Sequence, residues 1–223
     1  MLYNLILSTS QATVVSECPP TPYRSDSYQS EADLEREFIK QLVEQGYEYI
    51  QFRTETALVN NLRIQLEALN HISFTDGEWQ RFFGEKIANA REGITEKTRK
   101  IQDDYIQILR RDDGTDQNIR LLDKHTVHNN RLQVLNQYEA TEGKHAARYE
   151  VTILVNGFPM VHVELKRRGV ALREAFNQIN RYNRESFWSG SGLFDYVQLF
   201  IISNGTHTKY YSNTTRKKHL DDQ

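Results

Sequence analysis

Two apolar, alternating runs, 149–155 and 160–166, meet at Asn156-Gly157-Phe158-Pro159, and this junction restricts the fold more tightly than any other feature of the sequence. Asn-Gly tolerates the positive backbone angles that a tight hairpin turn demands, so the two runs read as an antiparallel β-hairpin. Just upstream, 132–138 has the composition of another strand. Downstream, 171–185 sets Leu172, Ala175, Phe176 and Ile179 on one helical face. A Ser189-Gly190-Ser191-Gly192 loop follows, and 197–203 is apolar enough for a strand buried on both faces. Asn204-Gly205 then turns into a last strand over 208–212.

The first half is mostly helical in pattern. Residues 1–30, punctuated by Pro19, Pro20 and Pro22, read as an irregular lead-in. Ser30 with Asp33 forms a capping pair, and Leu34, Phe38, Ile39 and Leu42 recur at helical spacing until Gly46. Leu58, Leu62, Leu66 and Leu69 make a second stripe, and Thr75 with Glu78 caps a third helix bearing Trp79, Phe82 and Phe83. This stretch, about 57–100, reads as a helical insertion. The period then shortens: 105–109 and 118–122, around Arg111-Asp112-Asp113-Gly114, have the composition of a hairpin. The whole predicts one α/β domain over 31–215, a mixed β-sheet flanked by helices, with its core at about 130–215.

Composition excludes several classes. No apolar run approaches the roughly 18 residues needed to span a bilayer, and 1–15 lacks the basic leader of a secretory signal. A lone cysteine, Cys18, permits no internal disulfide, which makes a reducing cytoplasm the expected setting. The net charge of −2 argues against a general phosphate binder, so any contact with DNA must be local. Basic residues do gather late, at Lys166, Arg167, Arg168, Arg173, Arg181 and Arg184, then at Arg216, Lys217 and Lys218. By composition alone such runs are solvated faces.

Chemistry concentrates on the hairpin. Side chains alternate across a strand, so Glu164 and Lys166 share a face roughly 6.5–7 Å apart, with His162 at the same parity. Glu150, on the partner strand, is expected to face Glu164. Two carboxylates beside a lysine suit Mg²⁺, which takes one or two carboxylates and keeps several waters. An isolated Glu-x-Lys is common on solvated strands and carries little weight alone. Glu35 lies on the inward stripe of the first helix, either as a further metal ligand or as a residue with a solvated head. His125 and His128 have no third ligand nearby and read as structural or exposed.

The runs 148–157 and 161–169, ending in Glu164-Leu165-Lys166-Arg167-Arg168-Gly169, resemble the PD-(D/E)xK nuclease motif of the restriction (R) subunit of type I restriction enzymes. The resemblance continues through Arg173-Glu174-Ala175-Phe176-Asn177-Gln178-Ile179-Asn180-Arg181-Tyr182 and Leu199-Phe200-Ile201-Ile202-Ser203-Asn204-Gly205-Thr206. It implies a restriction-endonuclease-like core and a Mg²⁺-dependent endonuclease with Glu150, Glu164 and Lys166 as catalytic residues. Glu150 and Glu164 would hold the metal. It further implies that Gln178 and Tyr182 match the family's Gln-x-x-x-Tyr element and support DNA binding and the active site, beside Arg167, Arg168 and Arg181. The family's first acid is normally Asp. Glu150 carries its carboxylate one methylene, about 1.5 Å, farther out. Two readings therefore stand: an active nuclease, and a weakened nuclease-fold module that grips DNA or docks on a motor.

No Gly-x-x-x-x-Gly-Lys-Ser/Thr occurs, so ATP binding would belong to motor domains outside this chain, with 216–223 as the start of a linker to them. The implied partners are double-stranded DNA and the methylation and specificity subunits of the same system. Backbone contact rather than base reading is the expected mode.

Overall fold

A computed structural model describes residues 4–9, 12–17, 30–52, 54–140, 147–171 and 191–213. The expected helix over 171–185, with Gln178, Arg181 and Tyr182, and the segment 216–223 lie outside the described residues. So do Cys18 and the basic residues Arg173 and Arg184. The lead-in is not wholly irregular: β1 (Asn4–Thr9) and β2 (Ala12–Glu17) pair as an antiparallel hairpin. Thr13, Val14 and Val15 are β-branched and favour that state.

Helix α1 (Glu31–Glu44) begins where Ser30 and Asp33 form a reciprocal capping box. A three-residue strand, β3 (Glu48–Ile50), follows, then α2 (Glu55–Asn70). Next come α3 (Asp76–Phe82), capped by the Thr75–Glu78 box, a π-helical turn over Phe83–Ile87, and α4 (Ile94–Gln102). Strands β4 (Ile106–Arg110) and β5 (Asp116–Arg120) form their own two-stranded sheet. The remaining strands are β6 (Leu132–Ala140), β7 (Ala147–Val155), β8 (Phe158–Leu165), β9 (Leu199–Ser203) and β10 (Thr208–Ser212).

The main sheet runs β10-β9-β8-β7-β6-β3 and is mixed. Pairs β3/β6 and β8/β9 are parallel; the other neighbours are antiparallel. Helices cover both faces. On one, Ile39 and Leu42 of α1 pack on Val134, Val151, Val163 and Leu165. On the other, Leu58, Leu62 and Leu66 of α2 join Leu135, Leu154, Phe158, Phe200 and Ile202. Each fully buried leucine stabilises this layer by about 1.5–3 kcal/mol. Helix α2 is thus one of the layers of the main core, although its stripe read as part of an insertion. Part of the cover over its apolar face comes from these strands, which lie about 70–145 residues later in the chain. Among the described residues no helix is long and apolar enough to cross a membrane.

Candidate active site

The turn between β7 and β8 uses Asn156 at φ +48° and Gly157 at φ +83°. Asn156 is fully buried: its Nδ2–H donates to Leu121 O and to Asn130 Oδ1, and its Oδ1 accepts from Arg131 N. At the turn Val155 pairs with Phe158, a register that would set Glu150 against Val163. Between Leu154 and Ile153 the register shifts by one, and Ile153 pairs with Val161, Thr152 with His162 and Val151 with Val163. Continued one step beyond that last pair, the register sets Glu150 level with Glu164. Pro159, which has no N–H to give the ladder, stands at the shift, and the Met160 carbonyl there accepts from Gln198 N at 2.8 Å.

Glu150, Glu164 and Lys166 come together on the sheet face opposite α1. Lys166 Nζ donates to Glu150 Oε1 at 3.2 Å and to Glu164 Oε1 at 3.1 Å. Glu150 Oε2 accepts from Leu165 N at 2.5 Å, which fixes the longer side chain by its tip. Glu164 is fully buried, and among the described residues its Oε2 has no hydrogen-bond partner. Burial pushes both carboxyl groups up to about 7; Lys166 lowers both, Glu164 raises Glu150 further, and Glu164 is lowered by a hydrogen bond with Glu150 and raised by Glu31. Burial pulls the Lys166 ammonium down, but Glu164 and Glu150 together hold it above its ordinary value. His162 Nε2 lies 3.5 Å from Glu164 Oε2. Burial drives that imidazole down to about 4, so it is neutral and does not compensate the carboxylate.

The α1 acid beside this cluster is Glu31, whose Oε2 is 3.9 Å from Lys166 Nζ and whose Oε1 accepts from Arg167 N at 3.4 Å. Glu35, one turn on, is buried as its stripe position suggests. Its carboxylate is directed elsewhere, to the amides of Asn136 and Gln137. Sequence reasoning passed over Glu31 because it precedes the apolar stripe; its position four residues before Glu35 was the available signal. Arg167 and Arg168 are exposed just past the end of β8. The Asn204-Gly205 turn fastens that segment: Asn204 Nδ2 donates to Val170 O, and Arg168 Cγ lies 3.6 Å from where a Cβ on Gly205 would stand. His125 and His128 are exposed.

A family model described as the type I restriction enzyme R protein N terminus matches residues 28–219. The chain belongs to that family. It is 54% identical over 194 residues to the type I restriction enzyme EcoprrI endonuclease subunit of Escherichia coli, covering 86% of this chain and 62% of that protein. It is 42% identical over 191 residues to a type I restriction enzyme endonuclease subunit of Staphylococcus saprophyticus, covering 83% of this chain and 20% of the relative. A putative type I restriction enzyme endonuclease subunit of Methanocaldococcus jannaschii is 26% identical over 102 residues, 44% of this chain and 9% of that protein. The chain thus spans under two thirds of the length of each of these relatives.

The donor set in this member of the family suits a hard divalent cation. A buried and a half-buried carboxyl group share a single ammonium, and among the described residues Glu164 Oε2 accepts no hydrogen bond. Among the described residues no group of three or more His, Cys, Asp or Glu side chains gathers into a metal cage. Mg²⁺ does not require one, since water fills the rest of its shell.

Proposed function

We propose that the chain is a Mg²⁺-dependent endonuclease domain with a PD-(D/E)xK core, which cuts double-stranded DNA as part of a type I restriction enzyme. The observation that carries this reading is the convergence of Glu150, Glu164 and Lys166 from two neighbouring strands, with one carboxylate oxygen left without a partner among the described residues. Glu150 and Glu164 hold the cation, which when bound supplies a Lewis acid for the phosphodiester and lowers the pKa of a water. Lys166, tethered to both acids, orients the attacking water or steadies the phosphate. Arg167 and Arg168 lie exposed beside it and hold the DNA backbone, with Gln178, Tyr182 and Arg181 in support. Motor domains elsewhere in the subunit drive translocation with ATP. The specificity and methylation subunits of the same cytoplasmic system choose the DNA.

A second reading has a specific observation in its favour. Both Glu150 oxygens are already engaged, by Leu165 N and by Lys166. A domain in which they stay engaged would keep the fold and grip DNA without cutting it. The experiment is DNA cleavage and ATP hydrolysis by the assembled enzyme, parent against Glu164→Ala and Lys166→Ala. The nuclease reading expects cleavage to vanish while ATP hydrolysis persists. Undiminished cleavage in both variants would refute it.

A further inference from the structure

Strand β6 breaks its own alternation beside the candidate site. Val134 packs in the α1 core and Leu135 in the α2 core, as alternation requires. Asn136 then donates its Nδ2–H to Glu35 Oε1 on α1 at 2.5 Å. Gln137 is due on the α2 face. It instead adopts φ +53°, and its Nε2–H donates to Glu35 Oε2. Tyr138 is the next residue on the α2 face, with its ring centroid 5.3 Å from that of Phe194. Successive β6 side chains on that face are therefore Leu135 and Tyr138. The place between them receives no side chain from this strand.

That place faces Glu150. The pairing runs Asn136 with Val151 and Tyr138 with Tyr149, so Gln137 is level with Glu150 although the two do not pair. In regular extended backbone, opposed side chains start about 4.5–5.5 Å apart at Cβ, and the Gln137 amide would donate into the Glu150 carboxylate. A left-handed non-glycine residue persists only where its surroundings over-determine it, and such residues cluster at functional sites. Here the restraint is Glu35, 8% exposed, with both oxygens committed to β6.

We propose that Glu35 and Gln137 are positioning residues: the Glu35 tether holds the left-handed turn at Gln137, and the turn keeps the space beside Glu150 clear for a hydrated divalent cation. The inference rests on the reading of Glu150 and Glu164 as metal ligands. It gives Glu35 a task other than ligation, exerted through β6.

The test is Mn²⁺ binding to the 223-residue chain by calorimetry, with the melting temperature of every variant recorded. Gln137→Gly accepts the left-handed backbone and is expected to bind as the parent does. Gln137→Val cannot hold that backbone without strain, and Glu35→Ala removes the tether; each is expected to weaken binding roughly 10- to 100-fold. The double variant Glu35→Ala/Gln137→Gly is expected to recover parental affinity, because no side chain remains to fall beside Glu150. A purely structural role would lower melting temperatures without that recovery, and equal affinities among the folded variants overturn the proposal. If Gln137→Val does not fold, the comparison of Glu35→Ala with the double variant decides. A metal-free readout comes from the NMR contact between the Tyr138 and Phe194 rings, expected in Gln137→Gly and lost in Gln137→Val; its survival in Gln137→Val overturns the proposal. If the parent binds no Mn²⁺ yet the ring contact behaves as expected, the metal-site reading fails and the account of the turn stands.

Discussion

Glu150 stands across from Glu164 because the β7/β8 register shifts by one residue on its way from the turn to the site. Opposed residues share a face, so the unshifted register would have set the two carboxylates on opposite sides of the sheet. Site and turn are therefore one mechanical unit, and the turn is anchored to α2. A Cβ on Gly157 would lie 2.6 Å from Leu62 Cα, at a backbone angle of φ +83°.

Gly157→Ala meets both obstacles at once, a left-handed backbone and a rigid neighbour. The expected loss is about 3 kcal/mol, at the upper end for a single substitution. Urea denaturation measures it, and a loss within a few tenths of a kcal/mol would show that the turn is not pinned on α2.

The raised carboxyl groups of Glu150 and Glu164 make stability depend on pH. Between about pH 4.5 and about pH 7 the folded chain keeps protons that the unfolded chain releases. Stability therefore falls as pH rises through this window, with the contribution fully unfavourable above it. Melting temperatures in EDTA are expected to drop across the window. Glu164→Gln flattens the drop, and divalent metal, whose binding displaces the protons, opposes it increasingly as pH rises. A pH-independent melting curve in EDTA would contradict the site's electrostatics.

Far from the cluster, Lys97 Nζ on α4 lies 2.6 Å from Asp195 Oδ2 and donates to Gly192 O, with both side chains almost fully buried. Burial raises the Asp195 carboxyl while Lys97 holds it down. Lys97→Met strands a buried acid and is expected to cost about 3 kcal/mol, most of it regained in Lys97→Met/Asp195→Leu. Chemical denaturation of the four chains gives the coupling. Mn²⁺ affinity should be unchanged throughout, and a double variant no better than the single would argue against an isolated pair.

Local signals made much of this molecule legible. The Ser30 and Thr75 caps, the β4/β5 hairpin, β6, the β7–β8 hairpin and β10 are written in short-range pattern and turn chemistry. The rest depends on partners remote in sequence. Three residues of β3 carry no usable periodicity and are strand only because β6 lies alongside. Glu35 was visible as an acid on an inward stripe, but its partners lie 101 and 102 residues later. The residue that takes the left-handed backbone, Gln137, is neither glycine nor asparagine and so does not announce it. The register shift that aligns Glu150 with Glu164 leaves only Pro159 as a trace.

The most direct test of the metal-site account is calorimetric titration of Mg²⁺ and Mn²⁺ into the 223-residue chain, into Glu164→Ala and into Glu150→Asp. The account predicts one saturable site in the parent, its loss in Glu164→Ala and its retention in Glu150→Asp. No binding in either the parent or Glu150→Asp would contradict it; binding in Glu150→Asp alone would mark the chain as a nuclease detuned by its longer acid.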